Sequence, residues 1–256
     1  MSIEITLLGV GSSAGTPVVG CHCNTCTSTN PKNKRTRCSS IITLANGKNI
    51  LIDTGPDLRD QSLREGLTNV DAVLFTHAHA DHCHGIDDLR AFCQINKKQI
   101  PLFGNKFVMD QIISKFKYAM IDPKDFWEIP ILKPHIVDAP FEIFDTTIIP
   151  IPVYHGKTLI NGYRVGNIAY ITDVSEIPSS SMTLLEGLDV LLLDCLRKKP
   201  HFTHFGYDKS INVAQEIKAK ATYLIHMTHN LDYDVVKNIV PQGIYVGYDG
   251  LKLTVN

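Results

Sequence analysis

Five residues within eight positions carry much of the chemistry of this chain. The segment FTHAHADHCHG (75–85) supplies His77, His79, Asp81, His82 and His84 directly behind the apolar run 72–76. Alternating residues leaving a strand, as in H-x-H, face the same way, and the next turn brings Asp81 and His82 round to a second point. Neutral imidazoles with a carboxylate suit Zn²⁺, Mn²⁺ or Fe. The lack of thiolate among these positions argues against a purely structural zinc.

Two further groups stand out. GCHCNTC (20–26) gives Cys21, Cys23 and Cys26. Three thiolates leave a tetrahedral zinc one ligand short, and a C-x-x-C alone is also compatible with a redox pair or with idle reduced thiols. His22 lies inside this run but binds only if its neighbours at 21 and 23 turn away, so it is a poor fourth ligand. LIHMTHN (224–230) puts His226 and His229 three positions apart at the end of an apolar run. Those two could serve one site, two sites or none.

These residues need elements to hold them. Runs rich in Ile, Val, Leu, Thr and Tyr, namely ITLLGV, SSIITL, NILIDTG, AVLFTHAH, TTIIPIPVYH, NIAYITD, DVLLLDC, TYLIHM and LKLTV, read as strands. Helices are expected over 84–95, 105–120, 180–187, 208–220 and 232–239, with Asp208 as an N-cap and Ala214, Ile217 and Ala221 on one face. Several runs end in His or Asp where a strand gives way to a loop, which predicts one shared site at the edge of a layered α/β core. The polar stretch 28–36 reads as a loop, and no stretch reads as a linker, so residues 1–256 are expected to form a single domain. With 256 residues, 44% of them hydrophobic, a sizeable core is possible. Charge is balanced, 25 Lys+Arg against 26 Asp+Glu, so no basic field invites nucleic acid. No window approaches ~18 uninterrupted apolar residues, so no membrane partner is expected. The opening MSIEITLLGVGSS reads as a first strand and a glycine turn rather than a signal peptide. With seven cysteines, an odd count, and no secretion signal, the reducing cytoplasm is the expected compartment. Cys83, Cys93 and Cys195 fall in apolar or helical settings and read as core.

H-x-H-x-D-H behind a strand, with a later His, Asp and His, resembles the metallo-β-lactamase superfamily over essentially the whole chain. The resemblance implies a four-layer αββα sandwich and two divalent metal ions, Zn or Mn. It implies His155 in PVYHGK beside His77 and His79 on one ion, Asp173 in YITD bridging both, and His226 with Asp81 and His82 on the other. Asp53 and Gly55 in LIDTGPD resemble the family's early acidic turn, where Asp53 orients a ligand rather than binding metal. Within the superfamily the chain resembles the PhnP group of phosphodiesterases, in which three such cysteines share a structural zinc with a His three residues after the last active-site His. That implies Cys21, Cys23, Cys26 and His229 on a third ion, whose affinity would count toward folding.

The same resemblance implies a function. Two metal ions acidify a water and clamp the non-bridging oxygens of a phosphodiester, and the departing oxygen needs a proton. RKKPHFTHFG (197–206) offers His204, which resembles the PhnP-type general acid. Asp81 and His204 are thus the residues expected in the chemistry, with His201 and Arg197 expected to bind substrate. Arg90 reads either as a substrate or ligand contact or as one half of a helix salt bridge. The expected substrate is a small, cyclic sugar or nucleotide phosphodiester, and a homodimer is compatible with this reading. The rivals are tRNA 3′-end processing, a lactonase or β-lactamase, and a non-catalytic carrier of the same fold. The first usually needs a basic or Gly/Pro-rich arm, whereas the candidate insert 105–147 holds 5 Lys against 7 Asp+Glu. The second leaves the HFTH segment and the cysteines idle. The third leaves a full ligand set unused.

Overall fold

A computed structural model describes residues 2–120 and 131–255. The first sheet takes β1 (Ile3–Gly9), β2 (Ser39–Thr43), β3 (Asn49–Ile52), β4 (Ala72–Leu74), β5 (Ile100–Gly104) and β6 (Leu132–Ile136), and β14 (Lys252–Val255) closes it beside β1. The second takes β7 (Phe141–Ile143), β8 (Thr146–His155), β9 (Thr158–Val165), β10 (Ile168–Ile171), β11 (Val190–Asp194), β12 (Ala221–Ile225) and β13 (Ile244–Val246), side by side in chain order.

Period-two alternation sorts the first sheet's residues between two cores. Leu7, Ile50, Ile52, Ala72 and Leu74 face the second sheet and join Ile151, Val153, Ile171 and Leu193 in the central core. Their neighbours Leu8, Leu51 and Val73 face the other way. There they meet α1 (Leu58–Glu65), α2 (Ala80–Cys83), α3 (Leu89–Asn96) and α4 (Lys106–Lys115). On the second sheet's far side, α5 (Ser179–Met182) packs near β8, α6 (Tyr207–Ile217) near β11 and α7 (Tyr233–Lys237) near β13. The result is the αββα layering, in which each buried Leu or Ile stabilises the fold by ~1.5–3 kcal/mol. Cys83, Cys93 and Cys195 are buried in it.

Local chemistry explains where the expected elements moved. Prolines do not break β8, because β7 pairs only up to Ile148 and leaves Pro150 and Pro152 on an open edge. α1 has a polar sequence and a partly polar buried face. Its Gln61 is sealed in and donates Nε2–H to Thr36 Oγ1 (2.9 Å) and to the Arg37 carbonyl (2.8 Å). In α6 the N-cap is Gly206, not Asp208, which lies in the first turn. Lys218 (φ 57°) stops that helix, so Ala221 opens β12 instead of continuing the helical face. Within the insert 105–147, residues 121–130 lie outside the described residues.

What matters for function is strand direction. β3 and β4 are parallel, as are β10, β11 and β12, and β8 runs with β10 because both are antiparallel to β9. Asp53, His77, His155, Asp173, Asp194 and His226 each sit at or just beyond the carboxyl end of one of these strands. This is where open α/β sheets place their ligand sites.

Candidate metal centre and active site

Six imidazoles close a ring. Centroids of neighbouring rings are 4.6 Å apart for His77–His79, 5.0 Å for His79–His155, 4.8 Å for His155–His204, 4.9 Å for His204–His226, 5.6 Å for His226–His82 and 4.2 Å for His82–His77. Asp173 reaches into it. Its Oδ2 lies 3.5 Å from His77 Nε2, while its Oδ1 lies 3.3 Å from both His82 Nε2 and His226 Nε2. The carboxylate therefore faces two groups of donors, one oxygen to each. His77, His79 and His155 share Asp173 in the first group, and Asp81, His82 and His226 share it in the second. In each group the ligand atoms lie within 4.8 Å of one another.

Partners behind the ring fix which nitrogen points inward. His82 Nδ1 meets Asp53 Oδ2 at 2.7 Å, and Asp53 also accepts from Thr76 N and Oγ1. Thr76 Oγ1 in turn meets His77 Nδ1 at 3.0 Å, and His155 Nδ1 donates to the Thr203 carbonyl at 2.9 Å. The Nε2 atoms of His77, His82 and His155 are left facing the centre, while His79 turns its Nδ1 to within 3.0 Å of His77 Nε2. Such outer partners set tautomer and ring orientation for metal binding.

The backbone is strained at the same places. Among the described residues, seven non-glycines adopt a left-handed φ, and Asp53 (60°), Asp173 (53°) and His226 (57°) are three of them. Asp tolerates this region better than most residues, and His is also enriched there. The dense hydrogen bonding and burial around them hold the conformation.

The donor set fits divalent ions. His82 Nε2 and His226 Nε2 are buried with no hydrogen-bond partner, and an orphaned buried group costs ~1–3 kcal/mol unless something takes its lone pair. Burial holds His77 well below the usual histidine range and lowers His79 and His155, which keeps them neutral as ligation requires. Burial also resists charge on His82, but Asp173, Asp53 and Asp81 outweigh it and raise it well above that range. That pull is the pull a cation would satisfy. His226 is likewise raised against its burial by Asp173, Asp81 and Asp194. Asp173 stays well below the carboxylate range despite burial, because His226 and His82 face it.

A separate group lies at the HMTH segment. His229 Nδ1 is 3.2 Å from Cys21 Sγ and 3.4 Å from both Cys23 Sγ and Cys26 Sγ. Cys₃His is a zinc donor set. His22 is exposed and outside this group. His226 and His229 thus face different centres, and the chain between them is held from three sides. Met227 N donates to the Val10 carbonyl at 2.9 Å, Thr228 N to the Leu196 carbonyl at 2.9 Å, and buried Arg35 to the carbonyls of Thr228 (3.2 Å) and Leu231 (2.6 Å). Cys23→Ser should cost one metal ion per chain, leave the His/Asp pair of ions in place, and lower the melting temperature. A loss of only ~2 kcal/mol would show as about 4–8 °C. Metal analysis beside thermal unfolding checks this, and loss of all the metal together would refute the division between centres.

The HFTH loop closes the ring. His204 Nδ1 sits 3.0 Å from Asp194 Oδ2, and its Nε2 is 3.8 Å from Asp173 Oδ2. His201 accepts from Thr203 N and is near Thr203 Oγ1, with its ring 5.4 Å from that of His204. Arg197 does not have the free fork expected of a substrate-binding residue, since its Nε and Nη2 donate to the carbonyls of Lys199 (3.3 Å) and Pro200 (3.1 Å) and brace the loop. Arg90 lies 3.3 Å from Asp87 across one helical turn. His84 packs edge-on against Phe116.

Residues 48–227 match the model of the beta-lactamase superfamily domain. The chain belongs to the metallo-β-lactamase superfamily. Among solved structures it is 42% identical to one described as a new diphosphatase from the PhnP family, with a TM-score of 0.93 and coverage of 100% of this chain and 98% of that one. Zn²⁺-bound PqqB from Methylobacterium extorquens shares the fold at 19% identity, with a TM-score of 0.78 over 98% of this chain and 99% of that one. A protein of Porphyromonas gingivalis named octanoyltransferase is 36% identical over 254 residues, 98% of this chain and 51% of that protein. This chain therefore spans about half the length of that relative.

Asp194 and Thr203 escape the sequence reading. Asp194 had a signal, because it closes the apolar run VLLLD just as Asp53 closes NILID. A carboxylate at the end of a buried strand needs a partner, and here the partner is His204. Thr203 acts through its carbonyl, which side-chain identity does not reveal.

Proposed function

We propose that this metallo-β-lactamase-superfamily hydrolase is a phosphodiesterase of small molecules, taking phosphodiesters, cyclic ones among them, or phosphoanhydrides. The observation that carries the reading is the sixth imidazole. His204 belongs to neither four-ligand group, yet it stands in the ring with Nδ1 committed to Asp194 and Nε2 turned inward.

Bound at the two groups, divalent ions would activate water and withdraw charge from the phosphoryl oxygens. The chain's own residues supply the rest. Asp81 and Asp173 bring negative charge that holds the centre together. Asp53 and Thr76 keep His82 and His77 in register. Asp194 accepts the Nδ1–H of His204 and fixes the ring, so that His204 as an imidazolium can donate its Nε2–H to a departing oxygen, the arrangement of general acid catalysis. A sugar or nucleoside alkoxide needs that proton, and phosphoryl chemistry is supported over a lactone or β-lactam by the 42%-identical solved structure described as a diphosphatase. Octanoyl transfer, named for the twice-longer relative, is not favoured here. Cys38, Cys83, Cys93 and Cys195 are buried, and the other three cysteines face His229, so among the described residues no thiol stands in the imidazole ring to carry an acyl group. No described helix is long and apolar enough to cross a membrane, and the seven cysteines are unpaired, in keeping with the proposed setting, the cytoplasm.

The test is a substrate panel on protein loaded with Zn²⁺ or Mn²⁺. Bis(p-nitrophenyl) phosphate or ADP-ribose should be hydrolysed, lost on chelation, and favoured over a lactone and a β-lactam by at least ~10²-fold in kcat/KM. The opposite preference would overturn the reading.

A further inference from the structure

α4 ends in a charged residue that touches the loop carrying two candidate metal ligands. Asn105 caps it, accepting from Val108 N at 2.9 Å, and Val108, Met109 and Ile112 are buried beneath the first sheet's helical layer. Packing therefore fixes where the helix ends. Its last residue, Lys115, donates from Nζ to the carbonyl of Ala78, the residue between His77 and His79. Both Lys115 and His79 are exposed, whereas the rest of that donor group is buried.

Among the described residues no carboxylate answers the charge of this lysine. Lys48 and Lys98 pair with Asp71, Lys106 with Asp110 and Lys220 with Asp189. Lys115 has no carboxylate at ion-pair distance among the described residues; its bond to Ala78 uses one of three ammonium donors. A lysine at a helix C-terminus gains a little from the dipole, but that needs no reach to the loop joining two candidate metal ligands. In the ring, His155 separates His79 from His204. His204 and the loop that Lys115 touches thus lie at different edges of one ring.

We infer that Lys115 is a substrate-positioning residue whose two remaining N–H groups take a second anionic group of the substrate, a phosphate beyond the one attacked. This rests on the phosphodiesterase reading and narrows it to substrates carrying at least two phosphoryl charges, the second of them held on the Lys115 side of the site.

The experiment compares wild type, Lys115→Met and Lys115→Arg, all metal-loaded, on bis(p-nitrophenyl) phosphate, which has one charge, and ADP-ribose, which has two. ADP-ribose is read as a substrate and as a competitive inhibitor. Lys115→Met should weaken ADP-ribose, in KM or Ki, by about 10- to 100-fold, the range of a charge-assisted hydrogen bond. Turnover of the monoanionic ester should change by less than about 3-fold, since it makes no such contact. Metal content and melting temperature should hold, the salt dependence of ADP-ribose binding should flatten, and Lys115→Arg should restore most of the affinity. Equal losses on both compounds would make Lys115 a brace for the Ala78 loop and overturn the inference. So would an unchanged Ki, or no binding of ADP-ribose by a wild type that hydrolyses the monoanionic ester. A wild type that hydrolyses neither compound would instead overturn the phosphodiesterase reading beneath it.

Discussion

Asp173→Asn should abolish hydrolysis in a protein that still folds. The substitution is nearly isosteric, and Asn tolerates the left-handed backbone that Asp173 adopts at φ 53°. What changes is charge. The carboxylate offers one oxygen to His77's group and the other to that of His82 and His226. A carboxamide must present its N–H₂ to one of them, where it meets imidazole nitrogens and a cation instead of an acceptor. The metal content of the His/Asp centre should fall by one or two ions per chain. kcat/KM should drop by more than ~10³-fold, beyond the ~10²–10³ typical of losing one charge-stabilising donor. The Cys21/Cys23/Cys26/His229 ion should stay. A variant with full metal content and activity within about tenfold of wild type would show that Asp173 does not bridge.

His204→Ala should discriminate among substrates by what leaves. If His204 gives up its Nε2 proton to the departing oxygen, its worth depends on how badly that oxygen needs one. Nitrophenolate leaves readily alone, so bis(p-nitrophenyl) phosphate should lose little. An alkyl or cyclic diester expels a sugar or nucleoside alkoxide, and there the loss should reach the ~10²–10⁴-fold of general acid catalysis. A residue that merely contacts phosphate would hurt both substrates alike. Asp194→Asn should follow the same pattern more weakly, because it unsettles the orientation of His204 and leaves its proton in place. Equal losses for both ester types would remove His204 from the acid role and make it a positioning residue, with His201 the next candidate.

Much of this centre is legible in the chain because its donors sit in a repeated context, a His or Asp where an apolar run stops. His77, His155, Asp173 and His226 all obey it, and a strand end is recognisable without knowing its neighbours. Less legible is what depends on the far side of a contact. Arg197 looks like a phosphate fork in RKKP, yet its donors turn back to the carbonyls of Lys199 and Pro200. Lys115 looks like any lysine ending a helix until the Ala78 carbonyl appears beside it. α1 hides because its buried face includes Gln61 and Ser62, so hydrophobic periodicity has nothing to register. Asp208 takes the cap position by residue type, but the turn belongs to Gly206.

The left-handed backbones at Asp53, Asp173 and His226 bear on how this protein can be altered. Glycine is the residue such a backbone favours, and it would relieve each position at the cost of the donor that function needs. Glycine at Asp53 would also leave the buried Thr76 and His82 groups without their acceptor, so these sites are poor places to seek heat resistance as well as turnover. A stabilised laboratory variant of this chain is apt to fail first where the conformation is least comfortable, so directed evolution for robustness should hold these three codons fixed and take its gains elsewhere.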